Sequence, residues 1–120
     1  WDVPTLDINL SNTLTTSRRT DAVKVPLNFS VIADLNVRIN DVTTSFSAWV
    51  TCPDHTDAAP STTVTPLATV ESSSTAAQAG STFNLHVRTS AAGLIAARST
   101  LATTDTYAVS TQGFKWARRN

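Results

Sequence analysis

The sequence predicts an all-β single domain: an antiparallel β-sandwich or barrel of seven to nine short strands with Greek-key-like connections. Two observations predict it. Over residues 23–51 apolar side chains alternate with polar ones. Val23, Val25, Leu27, Phe29, Val31, Ala33, Leu35, Val37 and Ile39 take every odd place, and of the even places between them only Ile32 is a large hydrophobe. A strand with that period has one face in a core and one in water, whereas a helix would scatter the same residues around its circumference. The second observation is composition. Ser and Thr make up roughly a quarter of the chain and far outnumber Lys plus Glu; Thr suits a half-exposed strand, long charged side chains a helix surface.

The elements follow in order. Residues 1–5 read as a linker, and Leu6, Ile8 and Leu10 alternate through an opening strand whose Pro4 places its start on an edge. Residues 11–21 are polar and fit an exposed connection. The run 23–40 exceeds one ordinary strand of roughly 5–6 residues, so two strands, or one bent near 32–34, are expected. Asn40-Asp41 supplies a turn, and Phe46, Ala48 and Val50 begin a run that would pair back as a hairpin. Residues 52–66, punctuated by Pro53, Pro60 and Pro66, read as a surface loop with a short strand at 62–65. Residues 71–81 read as a small-residue loop or helical turn ended by Gly80. Phe83, Leu85 and Val87 mark a further strand, 91–100 fits either a strand or a short helix, and 107–110 and 114–117 are short final strands about a turn at Gln112-Gly113.

The 120 residues suffice for one core, and 41% are apolar. Nine basic and nine acidic residues cancel, so the phosphate neutralisation that nucleic-acid binding relies on is missing from this domain. One cysteine, Cys52, allows no intrachain disulfide. No stretch approaches the roughly 20 apolar residues of a membrane-spanning helix, so no membrane insertion is expected. The opening on Trp1 is read as the start of a C-terminal piece of a longer product.

Cys52, Asp54, His55 and Asp57 form the one cluster of potential metal ligands. A thiolate, an imidazole and two carboxylates could coordinate zinc, and the carboxylates could help to hold calcium. The spacing lacks the paired Cys or His of a zinc site, and Asp and His beside Pro are also what a solvated turn contains. No metal is therefore assigned, with Asp54, His55 and Asp57 kept as candidates. Catalysis would need Cys52 or a serine with His55 or His86 as base; no Gly-x-Ser-x-Gly turn accompanies the serines, and no catalytic residue is assigned. Three dispersed glycines make no phosphate cradle. Asn9-Leu10-Ser11 and Asn28-Phe29-Ser30 match the glycosylation acceptor pattern inside predicted strands. Arg18-Arg19 and Arg118-Arg119 are basic pairs suited to carboxylates or to solvation alone. Trp49 falls on the face opposite Phe46, Ala48 and Val50. It either packs in a two-sided core or marks a contact surface, and Trp49 with Phe46 and Val50 is the candidate interface.

The stretches Leu10-Ser-Asn-Thr-Leu-Thr-Thr-Ser-Arg-Arg-Thr-Asp21 and Ser110-Thr-Gln-Gly-Phe-Lys-Trp-Ala-Arg-Arg-Asn120 carry a resemblance. With the character of most of the chain, they resemble the C-terminal protruding domain of icosahedral virus capsid proteins, in the prawn and shrimp nodavirus branch. The resemblance implies a β-rich spike at the virion surface, downstream of a shell domain and a linker. It implies pairing with itself as a homodimer, contact of the outer loops with a host-cell receptor, no cofactor and no enzymatic activity. The attachment-loop candidates are Asp54, His55, Asp57, Ser72, Ser73 and Ser74. The rival expectation is a carbohydrate-binding or adhesive sandwich module of a secreted microbial protein; a small hydrolase using His55 or His86 comes last.

Overall fold

The structure is a computed structural model that describes residues 5–41, 46–59, 69–72, 79–102, 104 and 106–116, with the side chains of 69–72 and 79–83 excepted. Among the described residues eight strands run β1 (Thr5–Ser11), β2 (Arg19–Ala22), β3 (Val31–Asp41), β4 (Phe46–Thr51), β5 (Thr69–Ser72), β6 (Ala79–Arg88), β7 (Leu94–Ser99) and β8 (Thr106–Trp116). They form two four-stranded sheets, ordered β1-β8-β3-β6 and β2-β7-β4-β5. The antiparallel pairs are nested: β4 with β5, β3 with β6, β2 with β7 and β1 with β8. The chain thus doubles back after β4 as one long ribbon and rolls into two layers, closed by β3–β8 and β4–β7. That arrangement is the eight-stranded jelly roll, a sandwich of two Greek keys.

The alternation in β3 does what its period requires. Val31, Ala33, Leu35, Val37 and Ile39 are completely buried between the sheets, and the even positions through Arg38 turn outward. Phe46, Ala48 and Val50 of β4, Ile95 and Ala97 of β7, and Tyr107 and Val109 of β8 complete the core with Ile8, Leu14, Val23 and Val87. Burying a large aliphatic side chain contributes about 1.5–3 kcal/mol, so this layer is what holds the two sheets face to face.

Several sequence expectations are corrected. The strand begins at Val31, not Val23: residues 23–30 form turns, Asn28 takes φ 69°, and Leu27 and Phe29 are exposed. Pro26, which donates no backbone hydrogen bond, and left-handed Asn28 stop a ladder that the apolar pattern alone would continue. The 40–46 hairpin is not formed, because β3 and β4 lie in different sheets; alternation assigns a face and not a partner. Gly80 lies inside β6, opposite Asn40, and β5 and β6 occupy both ends of the expected 71–81 loop. The ambiguous 91–100 stretch holds β7. Gln112-Gly113 is no turn: β8 runs through it, with Gln112 as the extra residue of a bulge between Gly113↔Asp34 and Thr111↔Leu35. In the polar 11–21 connection Leu14 is fully buried, and β2 begins at Arg19. The 62–65 strand lies outside the described residues.

The two ends of the roll are stitched differently. At the end where β1 starts and β8 stops, the β2–β3 and β6–β7 connections bond to each other: Val23 N–H to the Gly93 carbonyl at 3.0 Å and Asn28 N–H to that of Ala91 at 2.7 Å. A bulge in β1 at Asp7 joins this end, its carboxylate accepting from the Thr111 hydroxyl and from the Lys24 N–H. At the far end Thr104 N–H donates to the Leu14 carbonyl at 3.0 Å, Ser99 N–H to Thr15 at 2.9 Å and Thr100 N–H to Ser47 at 2.9 Å.

Candidate functional site

The predicted site residues are divided by the fold. Phe46 and Val50 face the inter-sheet core. Trp49 faces the opposite way, as its place in the alternation requires, yet it is only 7% exposed. Its ladder neighbours are Arg98 on β7 and Thr69 on β5. Arg98 explains how an outward face comes to be covered. Its Nε donates to the Thr16 carbonyl at 2.6 Å and its Nη1 to the Asp57 carboxylate at 3.0 Å. The β1–β2 connection and the segment after β4 are thereby drawn over the outer surface of the second sheet, and Arg18 adds a bond from Nη2 to the Cys52 carbonyl at 3.1 Å. Trp49 therefore gives little surface to a second copy.

The 52–57 cluster makes its bonds within the chain. Asp57 is committed to Arg98, and Asp54 accepts from the Cys52 thiol at 3.7 Å. His55 N–H donates to the Cys52 carbonyl at 3.1 Å, closing a turn. Cys52 is buried, and burial pushes its thiol above the usual range, so it is held protonated. Among the described residues no three His, Cys, Asp or Glu side chains come together as a metal site would require. His86 lies away from Cys52, on the outer face of the first sheet, where it stands 3.5 Å from Asp34 across the β3–β6 ladder.

The described attachment candidates lie at the two ends of β4. Ser72 ends β5 opposite Phe46, whereas Asp54, His55 and Asp57 follow the other end of β4. Five steps of a strand separate those ends, roughly 17 Å at 3.3 Å per residue. Ser73 and Ser74 lie outside the described residues, as do Arg118 and Arg119. Of the two glycosylation-pattern asparagines, Asn9 is exposed on β1, and Asn28 sits in an exposed turn and not in a strand.

Sequence reading missed an aromatic group at the end of β8. Phe29 is 57% exposed and Trp116 60% exposed, with ring centroids 5.6 Å apart and planes at 88°. Phe114 meets Trp116 in the same edge-to-face manner at 5.7 Å. Phe114 and Trp116 lie opposite core-facing Ala33 and Val31, which sets them on the inner face of the first sheet, where Trp116 stays exposed. The available signal was their i, i+2 spacing.

No family model, curated protein or solved structure matches this chain.

Proposed function

We propose that this domain is the protruding part of a virus capsid protein, paired with a second copy as a spike on the virion surface and touching the host cell through its loops. The strand order is the observation that carries the reading: nested pairs in two four-stranded sheets are the architecture of the jelly-roll capsid domains. Lectin domains and cupins share it, so the fold alone argues by analogy. The resemblance in 10–21 and 110–120 favours the capsid role over them. β1 starts and β8 stops at one end, which leaves the described residues 12–18, 100–102 and 104 together at the other, beside the last residues of β3 and the first of β6. That far end is the surface a spike would turn toward a receptor. The role is structural, with no chemical step and no cofactor.

The test is the gene. Reading its codons ahead of Trp1 and expressing the whole product should give a second β-rich domain, a basic arm, and particles bearing this domain as projections in electron micrographs. A secretion signal joined to an enzyme domain would overturn the proposal. It would favour a carbohydrate-binding module, the second reading, whose specific support is the exposed Phe29–Trp116 pair, since aromatic faces stack on sugar rings.

A further inference from the structure

We infer that the free edge of β6 is where two copies of this chain pair, strand against antiparallel strand, joining the first sheets of both into one eight-stranded sheet. The inference rests on the self-association proposed above and names the surface that performs it.

An edge strand presents a row of unpaired N–H and C=O groups, and proteins that stay single blunt such edges by shortness, bulges, proline or lysine. Three of the four edges here are blunted. β2 and β5 have four residues each, and β1 carries the Asp7 bulge. β6 has ten residues and pairs with β3 in unbroken register from Ile32↔Arg88 to Asp41↔Ala79. It contains no proline and no lysine. Among the described residues no strand lies on its other side, and no backbone hydrogen bond beyond the ladder reaches residues 79–88.

A second copy fits this edge better than an unrelated strand because the edge complements itself. With a twofold axis at Asn84, position 84 faces its own counterpart, 86 faces 82, and 88 faces 80. Arg88 thus meets a glycine position and no two like charges oppose each other. Of the two ionisable side chains of β6, Arg88 donates to the Ser30 hydroxyl of its own protomer at 2.8 Å, and His86 stands 3.5 Å from Asp34. A twofold contact uses the one unblunted edge among the described strands of each copy, and the blunted edges offer no further strand, so association stops at two.

The test is sedimentation equilibrium on the intact chain and two variants at the exposed Asn84. The wild-type chain should form dimers. Asn84→Lys places two ammonium groups across the axis and should raise the dimer dissociation constant about fivefold or more. Asn84→Cys should oxidise to a covalent dimer, because facing positions of an antiparallel pair stand about 4.5–5.5 Å apart, whereas Ser110→Cys in mid-sheet should not. A wild-type dimer whose constant is unchanged by Asn84→Lys, or that gives no cross-link through Asn84→Cys, overturns the β6 edge and leaves spike pairing standing on another surface. A wild-type chain that remains monomeric at about millimolar concentration overturns both.

Discussion

Arg98 and Asp57 meet at 3.0 Å over the outer face of the second sheet, joining β7 to the segment that follows β4. The two ends of this bond contribute unequally. Asp57 is substantially exposed, and exposed ion pairs contribute about 0.2–1 kcal/mol. Arg98 is less exposed and also holds the Thr16 carbonyl. Asp57→Asn should therefore lower unfolding free energy by no more than about 0.5 kcal/mol. Arg98→Ala should cost about 1–2 kcal/mol, because it also releases a charge-assisted hydrogen bond. Urea titrations of both variants, read at two salt concentrations, check the difference: the Asp57 effect should shrink with salt, and most of the Arg98 effect should remain.

Leu14 is the stability counterpart of that pair on the inner side. It is fully buried in a connection otherwise made of polar residues, and its carbonyl accepts from both the N–H and the hydroxyl of Thr104. Leu14→Ala should cost about 2–5 kcal/mol by opening a cavity under the far end of the roll. Leu6→Ala, on a side chain 57% exposed, should change stability by under about 0.5 kcal/mol. Equal denaturation midpoints for the two variants would contradict this placement of Leu14.

The contrast between Leu14 and Leu6 marks how far the residues alone could be read. A period of two in β3 told correctly which side chains are buried and that the domain is all-β. It could not tell that 23–30 leaves the sheet, because turns under a packed end also place apolar side chains at alternate positions. Nor does alternation name a partner strand, so β3 and β4 read as a hairpin although the roll sends them to opposite layers. The Asp7 bulge turns Leu6 to the outer side while Ile8 stays in the core, and no property of the residue types signals that reversal. Trp49 was assigned its face correctly. Its cover comes from Arg98 binding two remote segments, a long-range consequence invisible in local pattern. The contacts of the 52–57 residues are long-range or local in the same way: Asp57 meets Arg98 and Asp54 the Cys52 thiol.

The left-handed turn residues at the near end make a local prediction. Asn28 has φ 69° and Gly93 φ 72°, in two connections that bond to each other. A Cβ on Gly93 would also come within 3.1 Å of a Leu27 methyl. Asn28→Gly should leave stability nearly unchanged, whereas Asn28→Val and Gly93→Ala should each cost about 1–2 kcal/mol. Thermal melts of the three variants check the ordering, and a neutral Gly93→Ala would mean that the turn relaxes without strain.

Tyr107 supplies the pH dependence. Its ring lies in the core and its hydroxyl is buried without a hydrogen-bond partner among the described residues. Burial, reinforced by the nearby Asp21 carboxylate and opposed by Arg19, raises its pKa well above the ordinary value near 10. The sign follows from which state ionises first. Above about pH 10 the tyrosine of the unfolded chain loses its proton while the folded one keeps it. The stabilisation is whole below that pH and is lost progressively as pH rises toward the folded value. Tyr107 is the single tyrosine of the chain, so phenolate absorbance should appear only as the protein unfolds. Tyr107→Phe removes an unsatisfied hydroxyl at nearly constant shape and should raise stability at neutral pH by about 1 kcal/mol. The same variant should flatten the loss of stability above pH 10, and a hydroxyl titrating freely in the folded protein at its ordinary value would contradict the burial.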